Sequence, residues 1–349
     1  MQAVTFQAPG DVRVEERPEP ELVERDDAVV RVEATGVCGS DLHIYHGRVQ
    51  IEPGFTIGHE FVGTVLAAGD AVRDVSEGDR VLGCYCSACG NCFFCRQGQY
   101  HKCDEGRVFG HGATLGSLQG AQAELLLVPK ANLTLRRVPE GLSDEVALFA
   151  GDVAGTAYHA ICGDAAKPDP LEPGATVAVL GLGPVGLCAV QVARAAGASL
   201  VVAVDSVEER LRTAEALGAV AVHLTEDDPR GQVKQLTGGR GVDLSVDAVG
   251  HPEALDLACR LARKAGIVSV TGVYAEPAEV HMGVVWIKGL SWRTGQANVI
   301  GHLDRVLAML SAGVLDPSSL VTHRMSLDDA PEAYAIYDRR EALKIVLRP

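Results

Sequence analysis

Residues 176–205, TVAVLGLGPVGLCAVQVARAAGASLVVAVD, decide the fold of this chain. A valine-rich run leads into a glycine-proline cluster, a helix-forming run follows, and a second apolar run ends at Asp205. This order predicts a strand, a tight turn, a helix and a second strand. The uncharged residues 174–193 are about as long as a membrane span needs to be. Because the glycine-proline cluster interrupts them, we expect a turn there and no membrane partner.

The alternation of strands and helices continues to about Thr294. The apolar runs LVVAVD, AVHL, VDLSVDAV and GIVSVTG predict strands, and EERLRTAEALG and PEALDLACRLARKAG predict helices. Continuous apolar strands that alternate with helices are typical of a parallel sheet covered on both faces. The region therefore predicts an α/β fold with a doubly wound parallel sheet.

The segments on either side have a different pattern. Residues 1–153 are richer in glycine, proline and valine, with short apolar runs such as DAVVRVEAT, and predict a mainly β domain with long loops. The α/β domain is expected over residues 154–295. In residues 296–349, HLDRVLAMLSAG predicts a helix and ALKIVLRP a strand. Neither extends the alternating series, so we expect this segment to return to the first domain.

Composition narrows the range of functions. The chain has 349 residues, of which 47% are hydrophobic, enough for about two domains with sizeable cores. Its net charge of −15 repels a phosphate backbone, so no nucleic-acid partner is expected. The first residues lack a basic region followed by an apolar run, which predicts no export signal. We therefore expect a cytoplasmic protein, in a compartment where structural disulfides are rare.

The glycine-rich turn has the spacing G-x-G-x-x-G at Gly181, Gly183 and Gly186. The motif alone is weak, but here it follows a predicted strand and opens a predicted helix, which indicates a Rossmann dinucleotide site. The helix N-terminus would bind the pyrophosphate. Asp205 ends the second strand, where a carboxylate accepts hydrogen bonds from ribose hydroxyls and repels a 2′-phosphate. This favours NAD over NADP, although Asp205 could also be an ordinary strand-end or helix-capping aspartate.

Six of the ten cysteines stand in residues 84–103, CYCSACGNCFFCRQGQYHKC. In a reducing compartment this clustering indicates metal or redox chemistry. The last four have the spacing C-x2-C-x2-C-x7-C, whereas counting from Cys86 gives three C-x2-C steps and an iron–sulfur alternative. The bacterial ferredoxin run needs three residues before its fourth cysteine and then a proline. Here the spacing is two and Arg96 follows, which disfavours that cluster; a set of reactive thiols or a metal store would also suit the clustering.

A second candidate metal site lies nearer the N-terminus. VCGSDLHIYHG offers Cys38, and FTIGHEFVG offers His59 and Glu60, although a lone cysteine and histidine are more often packing residues. Catalytic zinc is usually held by three protein ligands with one position left open. GHEFVGTVLAAGDAV also has the pattern G-H-E-x-x-G-x5-G-x-x-V. With these motifs the sequence resembles, from its first strand to its last, the zinc-containing alcohol dehydrogenases of the medium-chain dehydrogenase/reductase superfamily.

The resemblance implies a GroES-like catalytic domain beside the Rossmann domain, with two zinc ions per chain. Cys38 and His59 would bind the catalytic zinc. The third ligand would be Asp152 in FAGDVAGTAYHA, four residues before Thr156, which would lie near the nicotinamide. Glu60 is the alternative ligand, and Asp152 could instead be a helix-start aspartate. The structural zinc would be bound by Cys89, Cys92, Cys95 and Cys103.

The resemblance also implies a proton relay. Ser40 would accept the proton of the alcohol and pass it through the cofactor ribose to His43, whose ordinary pKa near 6.5 suits the task. Asp41 would hold the imidazole of His59 in the tautomer that binds metal. Gly39 replaces a basic residue of the family, so one phosphate contact is expected to be missing. The further cofactor contacts are Pro184, Val185, Arg210 and Lys344.

The expected function is therefore hydride transfer between a small secondary or primary alcohol and NAD, giving a ketone or an aldehyde. Tyr85 stands where the family has an aromatic pocket wall, which mildly favours an apolar alcohol. Polyols, diols and threonine-type amino alcohols are the alternative substrates, and a non-catalytic zinc- and NAD-binding sensor is the alternative of a different class. The family suggests a homo-oligomer, a tetramer or a dimer. No role is predicted for Cys84 and Cys86, and the helical patterns place the remaining cysteines in the core: Cys162, Cys188 and Cys259.

Overall fold

The computed structural model describes residues 1–349. The strands are β1 Gln2–Ala8, β2 Asp11–Glu16, β3 Ala28–Val37, β4 Phe55–Thr56, β5 Phe61–Ala68, β6 Arg80–Gly83, β7 Cys86–Ser87, β8 Arg107–Val108, β9 Leu125–Val128, β10 Leu135–Arg137, β11 Gly163–Asp164, β12 Lys167–Pro168, β13 Thr176–Leu180, β14 Leu200–Asp205, β15 Val220–His223, β16 Val242–Asp247, β17 Ala262–Val270, β18 Ser291–Thr294, β19 Val321–Ser326 and β20 Lys344–Arg348.

The helices are α1 Asp41–Tyr45, α2 Phe93–Arg96, α3 Ala131–Thr134, α4 Asp144–Leu148, α5 Val153–Cys162, α6 Pro184–Ala195, α7 Glu208–Ala216, α8 Pro229–Leu236, α9 Pro252–Leu261, α10 Met282–Lys288, α11 Val299–Ser311 and α12 Ala330–Asp338. None of them combines the length and the apolarity that a membrane crossing requires. The chain forms two compact units, one of Met1–Gly155 with Asn298–Pro349 and one of Thr156–Ala297.

The first unit is built on a mainly antiparallel sheet with the order β10-β6-β5-β3-β20-β19, in which β9 also pairs with β3. The β-branched residues of β3, AVVRVEATGV, suit a strand that is paired on both sides. A Cβ on Gly63 would lie 2.0 Å from the carbonyl oxygen of Arg31, so β5 can approach β3 this closely only because that residue is glycine. The last strand, β20, places Ile345 opposite Val37. This pairing brings the C-terminus beside the loop that carries Cys38.

The second unit contains a six-stranded parallel sheet with the order β15-β14-β13-β16-β17-β18. Its central strand, β13, is buried at all five positions, as expected for a strand with neighbours on both sides and helices on both faces. The order is that of the doubly wound dinucleotide-binding fold. The predicted parallel sheet is confirmed.

Two features of this unit differ from the prediction. The helix predicted for PEALDLACRLARKAG ends at Leu261, and Ala262 already begins β17. The buried stripe of α9 stops at Leu261, and Arg263 instead bonds Asp243 and the carbonyls of the two residues that follow it. The helices α8 and α10 were not predicted. The sequence of α10, MGVVWIK, is apolar at five of its seven positions and has no polar face, so it shows no helical period.

Candidate active site and metal centres

Two groups of metal-ligand side chains form in the first unit, and the first consists of Cys38, His59, Glu60 and Asp152. Their ligand atoms all lie within 4.8 Å of one another. Cys38 directly follows β3, and His59 and Glu60 directly precede β5. Because β3 and β5 pair antiparallel with Thr35 opposite Phe61, the end of one strand and the start of the other come together. Asp152 joins them from the turn before α5.

The spacing of three of these side chains fits a zinc ion. Cys38 Sγ is 3.4 Å from Asp152 Oδ2, and His59 Nε2 is 3.3 Å from the same oxygen. Ligands about 2.0–2.3 Å from a tetrahedral zinc ion lie about 3.3–3.8 Å apart, which follows from the tetrahedral angle. Thiolate, imidazole and carboxylate are also the ligand types that zinc accepts. The residues present therefore fit the implied catalytic metal.

Burial controls the charges of this group. Burial raises the pKa of the Cys38 thiol, and the Asp152 carboxylate raises it further. Burial alone would raise the pKa of Asp152 as well, but hydrogen bonding to His59 holds it at about 2. A divalent cation would favour the thiolate and the neutral imidazole, since a metal competes with protons for its ligands.

Asp41 orients the imidazole of His59. Its Oδ1 is 3.2 Å from His59 Nδ1, and its Oδ2 accepts a hydrogen bond of 2.9 Å from the amide of Cys38. Although burial would raise it, His59 holds the pKa of Asp41 below its ordinary value. A carboxylate on Nδ1 leaves Nε2 for the metal, which is the usual arrangement of a ligating histidine.

Glu60 and Lys344 form a fully buried ion pair beside the group. Lys344 Nζ donates to Glu60 Oε1 at 2.6 Å and to the carbonyl of Val37 at 3.2 Å. The pKa of Lys344 lies above its ordinary value, because the attraction of Glu60 outweighs the effect of burial. This corrects the prediction that Lys344 binds the pyrophosphate: its side chain is wholly enclosed and its ammonium group is already bonded. Glu60 is engaged by this ion pair while its ligand atom lies within 4.8 Å of those of the other three residues.

The two predicted relay residues are placed differently. Ser40 Oγ lies 3.4 Å from His59 Nε2, next to the four candidate ligands. His43 is half-buried on α1, and its pKa is lowered by burial and by the nearby Arg48. The two side chains are not hydrogen-bonded to each other, so a further group is needed to join them.

One histidine of this region was missed by the sequence reasoning. His111 is buried, and its ring centroid lies 5.2 Å from that of His59. Its Nδ1 bonds the carbonyl of Phe109 at 2.9 Å, and its Nε2 makes no hydrogen bond. A Cβ on Gly110 would lie 2.5 Å from the carbonyl oxygen of Gly58, so this glycine lets the loop pack against the residue before His59. The flanking glycines were the only available signal in the sequence.

The second group consists of cysteines whose ligand atoms also lie within 4.8 Å of one another, namely Cys89, Cys92, Cys95 and Cys103. The Sγ atoms of Cys89 and Cys95 are 4.0 Å apart, and those of Cys92 and Cys103 are 3.9 Å apart. Four sulfurs about 2.3 Å from a zinc ion would lie about 3.8 Å apart. The observed sulfur–sulfur distances agree closely with this value. Four thiols would fill all four positions around a tetrahedral zinc ion and leave none for a substrate. Cys103, not Cys86, is therefore the fourth member, which removes the basis of the iron–sulfur alternative.

Backbone amides favour the thiolate form of these cysteines, which is the form that binds a metal. The amide of Cys95 points at Cys92 Sγ, and hydrogen bonding from this amide lowers the pKa of Cys92 to about 7. Cys84 and Cys86 lie outside the group and are buried. Burial raises the pKa of Cys86 to about 12, so this thiol stays protonated.

In the second unit the glycine motif forms the predicted turn between β13 and α6. Gly181 has a φ of +84°, and a Cβ on Gly186 would lie 1.9 Å from the carbonyl oxygen of Gly181. Gly183 is the N-cap of α6, so Pro184 and Val185 form its first turn. Several amide N–H groups of this turn therefore have no partner within the helix. These N–H groups are available to an anion, as the motif predicts.

Asp205 lies beside this turn at the end of β14. Its Oδ2 accepts a hydrogen bond of 2.6 Å from the amide of Leu182, and its Oδ1 accepts from the amides of Ser206 and Val207. Arg210 Nη1 is 3.9 Å from Asp205 Oδ2. The carboxylate is thus fixed next to the glycine loop with one cation nearby. Thr156 lies on α5, one turn after Asp152.

Comparison with known proteins gives two family matches. Residues 24–140 match the alcohol dehydrogenase GroES-like domain, and residues 184–310 match the zinc-binding dehydrogenase domain. An alcohol dehydrogenase of Cupriavidus necator is 34% identical, and the match covers 100% of this chain and 99% of that protein.

Solved structures that resemble this chain belong to the same kind of enzyme. Alcohol dehydrogenase TADH from Thermus sp. ATN1 has a TM-score of 0.95 and 43% identity, covering 100% of this chain and 99% of that one. A protein of Sinorhizobium meliloti, described as a zinc-binding dehydrogenase and solved with NADP, has a TM-score of 0.86 and 30% identity, with coverage of 100% and 99%. The similarity extends along the whole length of the chain.

Proposed function

Since the chain belongs to the zinc-containing alcohol dehydrogenase family of the medium-chain dehydrogenase/reductase superfamily and is an alcohol oxidoreductase, we propose that it transfers hydride from a small secondary or primary alcohol to NAD. The products are a ketone or an aldehyde. The observation that carries this proposal is the convergence of Cys38, His59 and Asp152 at zinc-ligand spacing beside the hydroxyl of Ser40.

Each metal would have its own residues. Cys38, His59 and Asp152 would hold the catalytic zinc, and the four-cysteine group would hold the structural one. A bound zinc ion supplies Lewis-acid chemistry, which makes an alcohol much easier to deprotonate. The chain's own residues must then orient the alcohol and accept its proton.

Ser40 is the nearest acceptor for that proton. Its hydroxyl lies within 3.4 Å of a metal-ligand nitrogen and can accept one hydrogen bond while it donates another. His43 is the next acceptor, since burial keeps its imidazole neutral near pH 7. A hydroxyl group must bridge the two side chains, because they are not bonded directly. The cofactor ribose is the group we propose for this place.

We propose NAD rather than NADP as the cofactor. The Asp205 carboxylate is fixed by three backbone amides at the end of β14, where it would accept ribose hydroxyls and repel a 2′-phosphate. Arg210 supports the alternative, because an arginine at this place can accommodate a 2′-phosphate. Steady-state kinetics with NAD and with NADP distinguishes these two cofactors. A higher kcat/KM with NADP than with NAD would contradict this reading of Asp205.

A polyol, diol or threonine-type substrate is the second candidate. It is favoured by His111, a buried imidazole next to His59 whose Nε2 makes no hydrogen bond. With Nδ1 donating to Phe109, Nε2 would be an acceptor for a second hydroxyl of the substrate. Tyr85 supports the apolar alcohol instead, because it stands where the family has an aromatic pocket wall and its side chain is only 7% exposed.

The decisive experiment combines metal analysis with a substrate screen. We expect two zinc ions per chain, one for each ligand group, and NAD reduction with simple secondary alcohols. Aryl alcohols, diols, polyols and threonine complete the screen. A zinc-loaded, NAD-binding protein that oxidises none of these alcohols would be the sensor of the alternative hypothesis. An iron chromophore without zinc would contradict both.

We also propose a homo-oligomer in a reducing compartment. The edge strand β18 has a free side, and near it in sequence Trp286 is 82% exposed and Ile287 70% exposed. An exposed edge strand flanked by apolar side chains is typical of a pairing surface. The expected assembly is a tetramer or a dimer of this chain. Light scattering on purified protein measures it directly, and a monomer would contradict the proposal.

A further inference from the structure

A cavity of about 300 Å³ in the second unit is lined by six cationic side chains. They come from α8, the loop after it, the end of α9, the start of β17 and the end of α10. They are Arg230, Lys234, Arg240, Arg260, Lys264 and Lys288. No aspartate or glutamate lines the cavity. In a chain with a net charge of −15, such a concentration of positive charge needs an explanation.

Most of these charges are not neutralised within the protein. Arg230, Lys234, Arg240 and Lys264 make no side-chain hydrogen bond and no ion pair, whereas Arg260 pairs with Asp256 at 2.5 Å. Like charges held close together destabilise the fold unless an anion joins them. The positive charge of these four side chains therefore has no counter-charge within the protein.

Lys288 lines the cavity and is held in place by the backbone. Its Nζ donates to three carbonyls at the end of α9, those of Cys259, Arg260 and Ala262, at 2.6–3.0 Å. Burial lowers the pKa of this lysine, and the positive charge of Arg230 lowers it further. All three of its protons are donated to carbonyls, so Lys288 would add a fixed positive charge to the cavity and leave the hydrogen bonds to an incoming anion to the other cationic side chains.

The cavity is distinct from the dinucleotide site. It adjoins Gly241, directly before β16, and Ala262, the first residue of β17, so it lies at the amino ends of these parallel strands. The glycine turn follows the carboxyl end of β13, where ligands of such sheets bind. The two sites are therefore at opposite edges of the sheet.

We propose that this cavity binds a compact polyanion that carries phosphate groups. Arginine forks and lysine ammonium groups are the usual partners of phosphate oxygens. The volume is near the lower end of the range for ligand sites, about 300–1,000 Å³, so it suits a small phosphorylated molecule or an inorganic polyphosphate better than a dinucleotide. The ligand would be an effector or a second substrate class of this enzyme, bound away from the alcohol chemistry.

The test is calorimetric titration of the purified enzyme with inorganic tripolyphosphate in the presence of saturating NAD. We expect saturable binding that Arg240→Glu weakens by about tenfold or more, because this exchange replaces an attraction with a repulsion. Arg212→Glu is the matched control. It makes the same charge change on an exposed side chain of α7 that lies outside the cavity, and it should change the affinity by less than about twofold.

Three binding results would overturn the proposal. They are the absence of saturable binding, equal losses in Arg240→Glu and Arg212→Glu, and, in a parallel titration without NAD, displacement of bound tripolyphosphate when NAD is added. A Lys234→Glu variant provides a second measurement if Arg240→Glu fails to fold. If either cavity variant changes the oligomeric state and leaves tripolyphosphate binding intact, the cations serve subunit assembly and the proposal is wrong.

Discussion

The two groups of metal-ligand side chains are assembled in opposite ways. The four cysteines lie within one short segment, and Cys89 and Cys103 are only 14 residues apart. Cys38 and Asp152 are separated by 114 residues and meet only because the sheet of the first unit is complete. The cysteine group is therefore a local property of the chain, whereas the catalytic group is a property of the fold.

The two groups also differ in what surrounds them: backbone amides in the cysteine group and buried charged side chains in the catalytic group. The sulfurs of the cysteine group receive backbone amides, among them those of Cys92 and Cys95, in a loop with little core of its own. The catalytic group is surrounded by buried charges, Asp41 on one side and Glu60 with Lys344 on the other. Loss of metal should therefore unfold a loop in the first case and stop the chemistry in the second.

The largest expected effect tests the catalytic half of this comparison. Cys38→Ser should lower kcat by at least about a thousandfold, because it removes a soft ligand from a site that has only three. The protein should remain folded and bind NAD, since the sheet does not depend on this side chain. Activity assays, circular dichroism and calorimetric titration with NAD measure these three properties, and zinc analysis shows whether the catalytic metal is lost.

Cys259→Ala is the control for that variant, because it removes a thiol in the second unit far from both groups in sequence. It should keep its activity and both zinc ions. If Cys38→Ser unfolds the protein, the catalytic group is structural and the contrast between the two centres disappears.

The second prediction concerns the cysteine group. Cys103→Ser should release one zinc ion and lower the free energy of unfolding by several kcal/mol, because a structural site contributes its binding energy to folding. Catalytic turnover should fall less than in Cys38→Ser. Thermal denaturation with zinc analysis measures both quantities. An unchanged midpoint after loss of the zinc ion would show that the loop does not need its metal.

The third prediction concerns the ion pair of Glu60 and Lys344. Lys344→Met should destabilise the fold by about 3–5 kcal/mol, since it leaves a buried carboxylate without its partner. The double variant Lys344→Met with Glu60→Gln should recover much of this loss, because it removes the unpaired charge as well. Urea denaturation measures both. If the double variant is no more stable than the single one, the pairing is not the source of the effect.

The contrast between the centres also explains what the sequence could predict. Spacing indicated a metal or redox cluster in residues 84–103, and the resemblance selected its four members, whereas the glycine turn follows from the order of strand, turn and helix. Bringing Asp152 to the metal ligands needed a resemblance to known enzymes, because nothing local in FAGDVAGTAYHA marks it as a ligand. Such long-range placements depend on which strands pair.

Lys344 shows the limit of sequence reasoning most clearly. The prediction that Lys344 in ALKIVL contacts a phosphate came from the resemblance to the family, and such a contact requires a free ammonium group. The pairing of β20 with β3 instead encloses it beside Glu60, where a Cβ on Gly36 would lie 1.9 Å from the carboxylate. Neither the pairing nor the space that Gly36 leaves can be recognised from the local sequence.

The smallest expected effect concerns the substrate side of the catalytic group. His111→Phe removes the acceptor next to His59 and keeps a flat ring of similar size. The ratio of kcat/KM for a vicinal diol to that for the corresponding simple alcohol should fall by about 5–10-fold, the value of one hydrogen bond of about 1–1.4 kcal/mol. His111→Gln keeps an acceptor and should restore part of the ratio. A cysteine-group variant such as Cys103→Ser should leave the ratio unchanged, since the structural centre has no contact with substrate. If His111→Phe lowers both rates equally, the imidazole only supports the packing of His59, and the open Nε2 does not select the alcohol.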